Sequence, residues 1–296
     1  MPASELAIKV PHWVKRNPVV AGVVRRSLQL RTQEVKSFIF TATTGRSGTM
    51  TLSGLFATLP GCVALHEPYP IMNAEVLAAA NEGDLGFVDR CYRRVKSINI
   101  LRAAVGHRHY LEANHLFVKT FIGQAFAEFG ARMAVVHLVR APIEVAMSIY
   151  CLRQLPGTEM GNTWWLDHRA PTNVIRMADR LETDPELSHP FYKGLWYWYE
   201  LEARFAAWRA RLPGLRVVRF ETPWFNDEAR VLALLAELEV SYDRARVRAF
   251  VGRREHTKAE KKTLPLLQNA EAERMHDTFR RVLGELGHQP PVLAAV

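Results

Sequence analysis

Residues 43–51 read TTGRSGTMT. Two glycines, one cation and a run of hydroxyls in so short a stretch are the materials of an anion site. Gly45 and Gly48 let the backbone close around a phosphate. Ser47, Thr49 and Thr51 offer hydroxyl donors. Arg46 adds a permanent charge on a planar donor fork. The apolar, β-prone SFIF precedes this stretch, and TLSGLFATLPG, with helical spacing, follows it. A strand is therefore expected to run through a glycine turn into a helix N-terminus, where backbone N–H groups and the positive dipole end favour an anion. A Walker A loop, GxxxxGK[ST], places lysine directly after its last glycine. Here Gly48 is followed by Thr49 and Met50, and the cation lies two residues before the glycine. The loop reads as a phosphate binder without the lysine of a magnesium–ATP site.

A second stretch, AVVHLVRAPIEVAMS at 134–148, reads as a strand ending at Arg140, followed by a helix. Pro142 suits the first helical position, and Glu144 in the first turn suits the dipole. Ser148 falls eight residues after Arg140, two turns into that helix. An arginine and a serine so placed can converge on one anion. Each also has a plain structural use, the arginine against an acidic neighbour and the serine on a helix face.

Taken together, the two stretches resemble the PAPS-dependent sulfotransferases, where PAPS is 3′-phosphoadenosine 5′-phosphosulfate. TTGRSGTMTL is similar to their 5′-phosphosulfate loop, in the arginine form of the carbohydrate and tyrosyl-protein members. VVHLVRAPIEVAMS is similar to their 3′-phosphate motif, with Ala141 where most members carry aspartate. RVVRFETPW at 216–224 resembles a later strand ending in YED, with Phe220 for the tyrosine and Thr222 for the aspartate. The resemblance spans residues 38–224. It implies PAPS as cosubstrate, no metal, and an acceptor that is a small molecule, glycan or lipid. It implies Gly45, Arg46, Ser47, Gly48, Thr49, Met50, Arg140 and Ser148 as the cosubstrate site. Catalysis would fall to Arg46 on the departing phosphate, with Lys119 of FVKTF at the same centre, and to a base. Some members use histidine in a KTH segment as that base. Here the segment reads KTF, with Phe121, and Glu67 of LHEPYP takes the role instead, as in the tyrosyl-protein and several bacterial members. A carboxylate needs burial to be a useful base at neutral pH. A loop salt bridge, even with Arg46, is the plain alternative for Glu67, and adjacent His66 is a second candidate base. GRREHTKAEKK at 252–262 is the candidate to close over the 3′-phosphate, or a solvated basic face.

The elements that must position these groups follow from the apolar runs. Strand-like runs lie at 37–42, 116–120, 134–139 and 215–220, with helical segments between them. That alternation predicts an α/β fold with a mostly parallel central sheet flanked by helices, P-loop-like in its first turn, over a single domain of 1–296. Ligands in such sheets bind at the strands' carboxyl ends. Residues 152–190, rich in Pro, Gly, Asn and His, read as an insertion or lid. Within it Trp164, Trp165, His168 and Arg169 are candidate acceptor contacts. GLWYWYELEARFAAW at 194–208 shows aromatic residues at helical spacing and reads as core, and His137, inside an apolar strand, reads as a satisfied core histidine.

The chain has 296 residues, 48% hydrophobic, and a net charge of +9. A basic excess favours anionic partners, but no RNP-like strand or helix-turn-helix supports nucleic acid. A small-molecule kinase is the principal rival, opposed by the missing GK[ST]; an inactive relative is a lesser one. Cys62, Cys91 and Cys151 show no CxxC pattern and fit a reducing, cytoplasmic setting. No apolar run is long enough to span a bilayer, and no leader peptide is expected. Residues 1–36 form a basic segment. Its stretch at 11–36 is expected to be an amphipathic helix that docks on the protein or lies on a membrane.

Overall fold

The structure, a computed structural model, describes residues 17–251 and 267–288. SFIFTA forms strand β1 (Ser37–Ala42), buried at every position, as a strand covered on both faces requires. Four more strands join it: β2 (Cys62–His66), β3 (His109–Ala113), β4 (Met133–Val139) and β5 (Arg216–Glu221). Their order is β2-β3-β1-β4-β5, and every pairing is parallel. The fold class read from the sequence is therefore observed, as an all-parallel sheet flanked by helices.

Side chains alternate between two apolar layers. Phe38 and Phe40 of β1, with Met133 and Val135 of β4, face one core. Ile39, Ala134, Val136 and Leu138 face the other. Helices of eight or more residues are numbered here. The second core is covered by α2 (Thr49–Ala57) through Leu52, Leu55 and Phe56; α8 (Glu228–Glu237) adds Val231, Leu234 and Leu235. The first is covered by α1 (Pro18–Arg31), α3 (Glu75–Glu82), α4 (Ser97–Ala104), α5 (Ile122–Phe129), α6 (Pro142–Leu152), α7 (Phe191–Arg211) and α9 (Asn269–Glu285). Helix α7 buries Trp196, Tyr197, Trp198 and Tyr199, the core role its aromatic spacing predicts. It crosses α6 closely, since a Cβ on Gly194 would lie 2.9 Å from the Cα of Ala146.

Three expectations are corrected or sharpened. The apolar run at 116–120 is not a strand: Phe117–Thr120 is a short helix, and the strand of this region is β3, just before it. Asn114 makes the difference. Its Oδ1 accepts the N–H of Leu116 at 2.9 Å, an Asx turn that ends the extended chain. Burial then comes from helical packing, with Phe117 stacked on Phe40 at 4.8 Å. Strand β2 went unread because CVALH is a short edge strand, half-buried at four of its five positions. In the basic segment, Asn17 caps α1 by accepting from Val19 and Val20. Ala21 and Leu28 are buried against the protein, so this helix docks on its own fold, while Val19, Val23 and Leu30 face outward. Residues 1–16 and the basic stretch 252–262 lie outside the described residues. Among those described, no helix is long and apolar enough to cross a membrane.

The insertion at 152–190 holds short helices, Glu159–Asn162 and Ala178–Thr183. It is pinned to α7 by Glu200, whose carboxylate accepts the backbone N–H groups of Val174 and Ile175 at 3.0 and 2.7 Å.

Candidate active site

All five strands point their carboxyl ends the same way, and the strand order switches direction beside β1. The loop at 43–48 leaves the sheet there, where α/β folds hold ligands. Gly45, Arg46 and Gly48 all have positive φ, at 79°, 59° and 89°. Gly48 caps α2 in the left-handed conformation, which costs a glycine little. A Cβ on it would stand 3.0 Å from the Phe225 ring, and one on Gly45 would crowd His115 and Trp165 at 3.2–3.3 Å.

The loop is held from three sides. Thr222 Oγ1 donates to the carbonyls of Ser47 and Val139 at 2.8 and 3.1 Å. Tyr197 donates its hydroxyl to the carbonyl of Thr44 at 2.7 Å. Arg140 Nη1 donates to the carbonyl of Arg46 at 2.8 Å. Inside the loop, Ser47 Oγ donates to the Gly45 carbonyl at 3.0 Å, so that hydroxyl braces the turn. Thr49 Oγ1 lies 3.0 Å from His66 Nε2, and Met50 is 37% exposed in the first turn of α2.

The two sequence stretches meet. Arg46 Nε donates to Ser148 Oγ at 2.9 Å. Arg140 Nε donates to Glu144 at 3.0 Å, while Trp198 Nε1 holds the Arg140 carbonyl at 2.9 Å. Two guanidinium groups and a hydroxyl from β1–α2 and β4–α6 are thus brought together at the loop that leads into α2. That donor set suits a ligand carrying more than one phosphate.

Glu67 follows β2 with φ of 45°, a conformation costly for a non-glycine residue and common at functional sites. Its N–H extends the ladder to the carbonyl of Ala113 at 3.1 Å. The carboxylate lies 3.4 Å from His115 Nε2 and 4.0 Å from His66 Nε2. Burial pushes its pKa up, with Glu112 adding to the rise, against Lys119, Lys96 and Arg46. Lys119 is buried, its amine 2.8 Å from His115 Nδ1, 2.8 Å from the Trp164 carbonyl and 2.9 Å from Tyr197 Oη. Burial holds Lys119 well below the usual lysine range. It does the same to His115, with Lys119, His66 and Arg46 adding to the shift.

Below Glu67 lies a support that the sequence did not advertise. Lys96 and Glu112 form a fully buried ion pair at 2.6 Å. Lys96 Nζ also donates to the carbonyls of Pro68 and Pro70 at 3.1 and 2.9 Å. Glu112 accepts from Tyr110 and from Asn114, each at 2.8 Å. This network fixes the loop that carries Glu67. His115 was missed too, although it stands four residues before Lys119 and so on the same helical face; reading that run as a strand hid the pair. Trp164 and Trp165 do reach the site, Trp165 packing on the His115 ring at 5.1 Å. His168 and Arg169 do not: His168 is bonded to Glu182 at 3.0 Å, and Arg169 to Asp167 and the Gly157 carbonyl. His137 is satisfied by Glu202 at 3.1 Å.

A scan against protein-family models and a search of curated proteins find no match to this chain.

Proposed function

We propose that the protein is a PAPS-dependent sulfotransferase, moving a sulfuryl group to an acceptor hydroxyl by in-line displacement and releasing adenosine 3′,5′-bisphosphate. The observation that carries this reading is the meeting of Arg46, Arg140 and Ser148 at the head of α2. PAPS carries phosphate at both ends of its ribose, and this donor set offers a cation to each. Arg46 and the α2 N-terminus take the 5′-phosphosulfate; Arg140 and Ser148 take the 3′-phosphate. PAPS supplies the sulfuryl group and a phosphate leaving group. The protein's part is to orient it and to stabilise the charge that gathers on that phosphate, which fixed cationic and N–H donors do without reorganising. The positive φ values of Gly45 and Gly48 shape the turn, and their missing Cβ atoms let His115, Trp165 and Phe225 pack against it.

Glu67 serves as the base. Its raised affinity for protons suits it to accept one from a hydroxyl, and the Lys96–Glu112 network holds it in place. Trp164 and Trp165 form the acceptor side, as part of an insertion that acts as a lid. Their aromatic faces accept a sugar or a phenol equally, so the acceptor class stays at small molecule, glycan or lipid. A reducing, cytoplasmic setting goes with this reading. Cys62 and Cys91 carry free thiols, and burial pushes the Cys62 thiol up to about 12, which keeps it unreactive.

The test is a screen in which PAPS is supplied with pooled phenols, sugars and glycolipids, and mass spectrometry looks for the gain of one SO3. Transfer by the native protein that is lost in Glu67→Gln supports the assignment. Transfer of a phosphoryl group from ATP by the native protein would replace it with a kinase.

A further inference from the structure

Lys119 is not aimed outward at a ligand. Its amine is surrounded by three partners of the protein's own: His115 Nδ1, the Trp164 carbonyl and Tyr197 Oη. As an ammonium it donates to all three, Tyr197 being free to accept because its own proton goes to Thr44. As a neutral amine it donates to Trp164 and Tyr197 and accepts from an Nδ1–H of His115. Either state leaves the Lys119 amine with its three hydrogen bonds made. His115 is matched to this. One ring nitrogen faces Lys119 and the other faces Glu67 Oε1 at 3.4 Å. The proton count on Lys119 therefore selects the His115 tautomer.

We propose that Glu67, His115 and Lys119 form a proton relay that carries the acceptor's proton inward to the Lys119 amine; this rests on the sulfotransferase reading above. The relay starts with ionised Glu67, His115 protonated on Nδ1 and neutral Lys119. As the acceptor oxygen bonds to sulfur, its O–H breaks and the proton passes to Glu67. Glu67 passes a proton to His115 Nε2, and the Nδ1 proton moves to the Lys119 lone pair. One proton enters and none leaves. Glu67 ends as a carboxylate, and a positive charge appears on Lys119. That charge arises beside the loop at 43–48, since Tyr197 and Trp165 contact both, while the departing phosphate gathers negative charge. Burial favours the neutral forms of Lys119 and His115 and raises Glu67, which moves the proton affinities of Lys119 and Glu67 toward one another. The titratable and charged groups that act on them are His66, Arg46, Arg204, Lys96 and Glu112, with Tyr197 in contact with Lys119. Glu67 alone touches the acceptor; His115 and Lys119 act through it.

The test reads the His115 ring nitrogens by 15N NMR in the intact protein, assigned by loss of signal in His115→Asn. The relay predicts a switch from Nδ1–H to Nε2–H as pH falls, at a pH well below the usual lysine range, and loss of that switch in Lys119→Met. A ring fixed as Nε2–H throughout, or one that passes directly to imidazolium, overturns it. Kinetics with an acceptor from the screen give a second reading. His115→Gln should lower kcat about 10–100-fold and turn a curved proton inventory linear, while adenosine 3′,5′-bisphosphate still raises Tm. An unchanged kcat with that Tm rise intact would sink the relay and leave the nucleotide reading standing. No Tm rise in native protein or variant would sink both.

Discussion

Arg46 and Ser148, 102 residues apart in the chain, are joined by a hydrogen bond of 2.9 Å. Arg140 closes the arrangement by donating to the carbonyl of Arg46. The glycine loop after β1 and the helix start after β4 thereby meet, with two guanidinium groups brought together. Parallel pairing of β1 with β4 makes this possible, because it brings Ala42 level with His137 and the two carboxyl ends side by side.

Arg46→Ala should reduce turnover about 10²–10³-fold, the usual cost of one donor aimed at developing charge. Arg46→Lys should recover only part of this, since lysine lacks the fork that reaches both ligand and Ser148. Steady-state rates with a screened acceptor decide the matter, and equal activity of all three proteins would remove Arg46 from the chemistry.

Arg140→Ala should act on binding. Hydrogen bonds to a charged group are worth about 1.5–3 kcal/mol, so affinity for adenosine 3′,5′-bisphosphate should fall at least about tenfold, with a smaller effect on affinity for 5′-AMP. Calorimetric titration gives both numbers. An equal loss for the two nucleotides would move Arg140 away from the 3′-phosphate.

Glu67 couples activity to stability through pH. Its folded pKa is raised by burial, so the folded state prefers the protonated form. That contribution to stability is fully present below the unfolded carboxylate pKa and is lost as pH rises through the folded one. Glu67→Gln should therefore be less active yet at least as stable at pH 7, with its Tm advantage vanishing as pH falls below about 4. Paired thermal melts across pH test this; a variant less stable at neutral pH than the native protein would contradict it.

The buried pair beneath Glu67 gives a prediction about support. Lys96→Met leaves Glu112 without its cation and should cost about 3–5 kcal/mol. Adding Glu112→Gln, whose Oε1 still accepts from Asn114 while its NH2 donates to the Tyr110 hydroxyl, should restore much of that loss. Urea unfolding of the single and double variants measures the coupling, and strict additivity would mean that the ion pair contributes nothing.

The sequence reached the sheet class and the two stretches that meet in the candidate site because those features are local. A buried strand is a run of apolar residues, a tight turn with positive φ needs its glycines, and Arg140 and Ser148 lie just before and two turns into the same helix. What it did not reach depends on distant pairing. LFVKT is apolar enough for a strand, and only the Asx turn at Asn114, with Thr41 Oγ1 accepting the Asn114 N–H at 2.9 Å, makes it helical. Lys96, Glu112 and Tyr110 are ordinary polar residues in the sequence, made special by complete burial against one another. Lys119 was expected near the departing phosphate; it lies beside that loop, with its amine engaged by His115, Trp164 and Tyr197.

The central claim, a site for a nucleotide phosphorylated at both ends of its ribose, is tested most directly by thermal unfolding with adenosine 3′,5′-bisphosphate beside ATP with and without magnesium. Ligand at about 100 times its Kd stabilises by roughly 2.7 kcal/mol, which raises Tm by about 5 °C in a chain of this size. The account predicts that rise with the bisphosphate, in magnesium or in chelator alike. A rise only with ATP and magnesium would contradict it and make the site that of a kinase.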